Sequence, residues 1–223
     1  MQVAARIDQA KYDVFRWRYE LSLPMKLALA LGFAGLIGLI AQLRFGWPVP
    51  VTGQTFAVLL AGVLMGRWWG GISMAIYVGL GAAGVPWFAP TAGMSAFSAG
   101  GISHLAGPTG GYLVGFILAS LFLGYFTDRY VRSRSFLSML GLMLFANFIL
   151  IYIPGLLQLH LWLNLVEGSP VSFAALLGIG ATPFIIGDVV KAITAALVAR
   201  GVTPKKAYGK EVDGSKWASW RIP

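Results

Sequence analysis

Six apolar stretches divide this chain, and several run for about 20 mainly apolar residues, the length of helix that crosses a hydrocarbon core of ~30 Å. They read as Pro24–Leu43, Thr55–Met65, Trp69–Gly84, Gly111–Phe126, Phe136–Leu157 and Phe173–Ala199, the last interrupted by Pro183. The second and third are short and joined by a tight turn that holds Arg67. Hydrophobic residues make up 57% of the chain and charged residues 11%, with a mean hydropathy of +0.74. A soluble domain could not cover that much apolar side chain with so few charges. The expectation is an all-α integral membrane protein. A six-helix domain over residues 24–200 is flanked by a basic arm, 1–23, and a basic tail, 201–223.

Six crossings put both termini on one side of the membrane, and the basic residues say which side. Arg6, Lys11, Arg16, Arg18 and Lys26 lie in the arm and first-helix start, Arg67 in the next turn on that side, and Arg129, Arg132 and Arg134 in another. Arg200, Lys205, Lys206, Lys210, Lys216 and Arg221 follow the last helix. Of 17 basic residues, only Arg44 falls on the other side and Lys191 within a span. The side rich in Lys and Arg is cytoplasmic.

The arm has no short apolar core ending in a cleavage site, so it is not expected to be a signal peptide. Val14, Phe15, Trp17, Tyr19 and Leu21 interleave with Arg16 and Arg18, the pattern of a segment lying on the inner leaflet; a disordered basic tail is the alternative. Trp217 and Trp220, beside Lys216 and Arg221, suggest similar surface contact at the other end. The +9 net charge forms no aromatic-interleaved basic domain, so nucleic acid is not an expected partner. Zero cysteines exclude disulfides, iron–sulfur clusters and thiolate zinc sites. His104 and His160 have no nearby acidic partners, and no metal or cofactor is expected. Gly107-Pro-Thr-Gly-Gly lacks the Gly-Lys-[Ser/Thr] ending of a phosphate loop. ATP-driven work would require another polypeptide.

Asp188 and Lys191 are the one acid and base buried together in an apolar run, Pro183-Phe-Ile-Ile-Gly-Asp-Val-Val-Lys191. Residues three apart share a helix face and can pair, and charges within a bilayer default to function. Asp188 precedes Arg200 by 12 residues, or ~18 Å of helix, which sets it in the outer part of the membrane. The pair is expected at the floor of a pocket open to the outside; an ion pair that only locks helices is the alternative. Outside, Trp47-Pro-Val-Pro-Val-Thr-Gly-Gln54 should be extended. The long segment Val85–Gly110, which has no Lys, Arg, Asp or Glu but keeps Trp87, Phe88, Met94, Phe97, Ile102 and Leu105, should fold back as a cap.

Five collinear stretches resemble the BioY family, the biotin-binding S components of energy-coupling factor (ECF) transporters. They are Pro48-Val-Pro-Val-Thr-Gly-Gln-Thr55, Leu60-Ala-Gly-Val-Leu-Met-Gly66, Tyr77 through Gly-Leu-Gly-Ala-Ala-Gly-Val-Pro86, Gly107-Pro-Thr-Gly-Gly-Tyr112 and Pro183 through Lys191. The resemblance implies the six-helix ECF S-component fold, capture of biotin from outside, and coupling to a transmembrane T component carrying two ATPase subunits. It covers about residues 24 to 200 and leaves the arm and tail outside the family core.

Biotin offers a ureido head with two N–H donors and a carbonyl, an apolar thioether ring, an alkyl chain and a carboxylate. Asp188 can accept from the ureido N–H groups and Lys191 can donate to its carbonyl. Side chains only ~5–6 Å apart at their Cβ atoms serve one end of the ligand, so Gln54, Thr52 and Arg44 are the candidates for the carboxylate. Arg44 as a helix-end residue reaching for the interface is the alternative. Asn147, Tyr152 and Tyr112 are further candidate polar linings. The ridge Ala30-x-x-x-Ala34-x-x-x-Gly38 suits close helix approach. It is a candidate T-component docking face, with ordinary internal packing as the alternative. The competing functions are an S component for another vitamin, a stand-alone facilitator or channel that could be a homo-oligomer, and last an intramembrane enzyme, for which neither histidine has suitable partners near it in sequence.

Overall fold

The computed structural model of the protein describes residues 2–45, 49–91, 93–209 and 211–214. Trp47 and Pro48 of the outer connection lie outside the described residues, as do Lys210, Lys216, Trp217, Trp220 and Arg221 of the tail. The described helices are α1 Gln2–Glu20, α2 Leu23–Ala41, α3 Gln54–Met65, α4 Arg67–Ala82, α5 Ile102–Leu105, α6 Gly110–Arg129, α7 Phe136–Phe145, α8 Tyr152–Leu165, α9 Phe173–Gly180 and α10 Ile185–Val202. A π-helical turn, Ala146–Ile151, fuses α7 to α8, and a 3-10 turn, Thr182–Phe184, joins α9 to α10. Four stretches, Leu23–Ala41, Gly110–Arg129, Phe136–Leu165 and Phe173–Val202, are long and apolar enough to cross a membrane. The 12 and 16 residues of α3 and α4 rise only ~18 and ~24 Å. Apart from its helices, the described chain holds a two-stranded antiparallel ribbon, β1 Arg44–Phe45 and β2 Val51–Thr52, with Arg44 opposite Thr52. It is the extended form that the proline-rich connection favours.

At the centre stands α6, packed against α3, α4, α8 and the π turn. A Cβ on Gly115 would lie 2.6 Å from Ile151 Cα, so only glycine lets the π turn close on α6 at this point. Leu123, Met139, Met143 and Leu159 are fully buried around it. On α2, by contrast, Leu27, Leu31, Leu36 and Leu39 are exposed, as a lipid-facing side requires.

The small-residue ridge of α2 faces inward, in the internal packing read as the alternative to a docking face. Ala30 and Ala34 are fully buried, and the Ala30 carbonyl accepts a 2.8 Å hydrogen bond from Ser73 Oγ on α4. A Cβ on Gly38 would meet Trp87 Cβ at 2.9 Å. Small side chains here let α4 and the outer loop approach α2.

The arm is a helix and it binds the bundle. Phe15 is buried against the Tyr208 ring, 5.4 Å between centroids, while Val14, Trp17 and Tyr19 stay exposed. Arg18 donates to the carbonyls of Val63 and Leu64 at the end of α3 and pairs with Asp128 at 2.6 Å. Asp128 also accepts from the Arg67 N–H and the Tyr208 hydroxyl. The tail answers from the other side: Glu211 pairs with Arg134 at 2.6 Å, and Asp213 accepts from the N–H groups of Val131 and Arg132. Arm and tail together clasp one end of the helix bundle.

Candidate ligand-binding site

Pro183 has no amide hydrogen and disfavours helix in the residue before it. Accordingly α9 stops at Gly180, and α10 begins after the 3-10 turn. Asp188 falls in the first turn of α10, where the helix dipole favours negative charge. Lys191 follows one turn later, with its Nζ 2.8 Å from Asp188 Oδ1. Asp188 is 3% exposed, and the Lys191 side chain 20%.

Three more donors reach the carboxylate. Thr55 Oγ1 on α3 donates to Oδ1 at 3.2 Å, and Asn147 Nδ2 and Tyr152 Oη donate to Oδ2 at 3.0 and 2.5 Å. Asn147 and Tyr152 stand five positions apart, the hydrogen-bond spacing of a π-helix and not of an α-helix. The π turn is what brings both to one carboxylate. Pro154, which supplies no N–H to the Leu150 carbonyl, removes one rung of the α-helical ladder beside it. A carboxylate has about four acceptor sites and an ammonium three donors. Asp188 therefore has its sites filled, whereas Lys191 spends two donors, on Asp188 and on Thr55 Oγ1, and keeps one.

These groups floor a cavity whose empty space, its open mouth included, is about 590 Å³. Thr52, Gln54, Thr55, Tyr112, Tyr152, Asp188 and Lys191 supply polar lining, and Phe88, Leu113, Phe116, Ile151 and Phe184 supply apolar wall. Thr52 Oγ1 donates to Gln54 Oε1, Gln54 Nε2 to Tyr77 Oη, and Tyr77 Oη to the Trp87 carbonyl. That chain of bonds ties the ribbon, α3 and α4 to the outer loop. The Tyr112 hydroxyl donates to the Gly180 carbonyl at 2.7 Å.

Two sequence candidates lie elsewhere. Arg44 does not line the cavity; its Nη2 donates to the Met94 carbonyl at 2.7 Å and holds the outer loop to the ribbon. Asn147 stands behind Asp188 and off the cavity wall, with its Oδ1 unpartnered among the described residues. The outer loop does cover the site: Phe88 and Ala99 are fully buried, and the Phe88 N–H donates to the Ala99 carbonyl. Ile102 and Phe97 of that loop remain exposed. Sequence reasoning missed Thr55 and His104. Thr55 had one available signal, its place at the end of the Pro48–Thr55 stretch, and His104, with no charged neighbour in sequence, had none.

Comparison with known proteins decides the family. The model of the BioY family matches residues 13–208. The chain belongs to the BioY family. A probable biotin transporter BioY of Methanothermobacter thermautotrophicus is 52% identical to this BioY protein over 164 residues, 74% of this chain and 100% of that one. The biotin transporter BioY of Rhodobacter capsulatus is 34% identical over 76% of this chain and 88% of that one. In fold, this BioY chain resembles the crystal structure of an S-component for biotin from an ECF-type ABC transporter. The TM-score is 0.65 at 23% identity, over 81% of this chain and 93% of that one. The family match takes in Phe15, Arg18 and Tyr208, so part of the arm and tail belongs to the BioY pattern, contrary to the narrower 24–200 core read from the sequence.

Proposed function

We propose that this BioY-family chain is the membrane subunit that captures biotin from outside the cell, and that a separate T component with two ATPase subunits drives its uptake. The named biotin transporters among its relatives support the ligand, and the likeness in fold supports the S-component architecture. In this reading six crossings are made by α2, α3, α4, α6, α7 with α8, and α9 with α10, the short α3 and α4 leaning on α6. Both termini are cytoplasmic; the gathering of Arg18, Arg67 and Arg134 at the end clasped by arm and tail supports that side.

The observation that carries the proposal is the spare donor of Lys191 beside a fully bonded Asp188 on the cavity floor. The ureido carbonyl accepts from Lys191. One ureido N–H replaces the Thr55 hydroxyl on Asp188 Oδ1, a 3.2 Å contact that rotation of the hydroxyl can release. The apolar wall then receives the thioether ring and alkyl chain, and Asn147 positions Asp188 from behind. Equilibrium binding of labelled biotin to the purified protein, with other water-soluble vitamins as competitors, tests the ligand. Binding at low micromolar concentration or tighter that resists competition is expected. Equal displacement by another vitamin would instead make this an S component for that vitamin. Uptake by vesicles holding this chain alone, as fast as with T component and ATPases added, would replace the S-subunit reading with a stand-alone facilitator.

A further inference from the structure

The charged groups lining the cavity are Asp188 and Lys191, already paired with each other. A ligand that brings its own carboxylate adds a negative charge with no free cation to meet it, and an unpaired charge in a low-dielectric site is costly. His104 is the lining side chain whose charge can change near neutral pH. It sits on α5 in the outer loop, its ring stacked on Phe88 at 5.4 Å with 24° between planes. Its Nε2 is buried without a hydrogen-bond partner among the described residues, a rare state for a polar atom. Burial holds its pKa below the ordinary histidine value, so the ring is neutral in the free protein at neutral pH.

Little around His104 could tune it before ligand arrives. The loop Val85–Gly110 has no Lys, Arg, Asp or Glu. The helices packed on α5 are α4 and α6, with α8 bonded to its Leu105 carbonyl through Gln158. The charged residues of α4 and α6, Arg67, Asp128 and Arg129, lie at the helix ends away from it, and α8 has no Asp, Glu, Lys or Arg. The titratable groups on the near side are Tyr77 and Tyr112, with Asp188 and Lys191 across the cavity.

We infer that His104 contacts the ligand carboxylate and takes up a proton from solvent as the ligand binds, so that the closed site holds balanced charge. This rests on the biotin reading above. A bound carboxylate makes the imidazolium the favoured form. Between the histidine's free and bound pKa values, affinity then falls as pH rises, by up to about tenfold per pH unit.

The test is calorimetric titration of the full-length protein at about pH 6 to 8, in buffers of differing protonation enthalpy. Biotin is compared with biotinamide, and wild type with His104→Gln and His160→Gln. His160, the other histidine of the chain, is engaged by Asn164. Wild type and His160→Gln should take up a proton with biotin near pH 7.5, approaching one per ligand, and none with biotinamide. His104→Gln should bind biotin more weakly at about pH 6, with no uptake and a flat pH profile. Biotin binding without proton exchange in wild type, or uptake that persists in His104→Gln, overturns the inference and leaves the biotin reading standing. Absence of any biotin binding removes both. The acid-against-amide comparison in wild type decides the matter even where the variant does not fold.

Discussion

Lys191 holds a donor free before a ligand arrives, whereas Asp188, bonded by four donors, must release the Thr55 hydroxyl to meet one. Removing Lys191 alone strands Asp188 in a buried site, whereas removing both charges does not. Lys191→Met should lower stability by up to about 3 kcal/mol, discounted for the partial exposure of its side chain. Lys191→Met with Asp188→Asn should recover most of that loss without restoring biotin binding. Thermal unfolding in detergent, run on both singles and the double, checks the pattern; a double variant no more stable than Lys191→Met would contradict it. Thr55→Val should change biotin affinity by less than about tenfold, since the ligand displaces that hydroxyl, and a titration measures it. The i,i+3 pair was legible because helix spacing alone makes the two residues meet. The direction of Arg44 was not, since a cation at a helix end can turn to solvent, ligand or backbone with equal local sense.

At the scale of elements, apolar run length located five of the six spans within a few residues. It ended the fifth at Leu157 where the helix runs to Leu165 and did not show the arm as a helix, and hydropathy carries no trace of a π turn. The spacing of Asn147 and Tyr152 reads as opposite sides of an α-helix until the extra residue is seen. Deleting Ile149 should return the segment to α-helical pitch and leave Asn147 and Tyr152 four apart, ~40° from one another on one face. The variant should fold and keep biotin affinity within about tenfold; a folded deletion variant that no longer binds biotin would contradict this geometry. Gly115→Ala, whose Cβ would meet the Ile151 backbone, should destabilise by about 1–3 kcal/mol, readable by the same thermal unfolding. The α2 ridge shows the opposite limit: small residues at i, i+4 and i+8 pack as well inside a chain as between chains, so spacing could not tell which.

For the whole molecule, the arm and tail form the part least visible in the sequence, because Arg18 meets Asp128 and Tyr208 across 110 and 190 positions. Burial alone would raise the Glu211 carboxyl, but the Arg134 guanidinium and the N–H groups of Tyr208 and Gly209 outweigh it and hold its pKa below the ordinary value. A depressed carboxyl contributes stability above its unfolded pKa of about 4.3 and loses it as pH falls through the folded value. Glu211→Gln should therefore loosen the tail at neutral pH, and the difference from wild type should shrink below about pH 4.3. Hydrogen exchange of the tail amides against pH reads this; a gap that stays constant with pH would refute it. The clasp closes one end of the molecule; in the function proposed for it the task lies at the other, where Asp188 and Lys191 floor the capped cavity. Equilibrium binding of biotin to purified wild type, Asp188→Asn and Lys191→Met tests that task most directly. Wild type should bind at low micromolar concentration or tighter, and each variant at least about 100-fold more weakly, the loss typical of a buried charged partner. Variants that bind as wild type does would return the pair to a structural role and contradict the account.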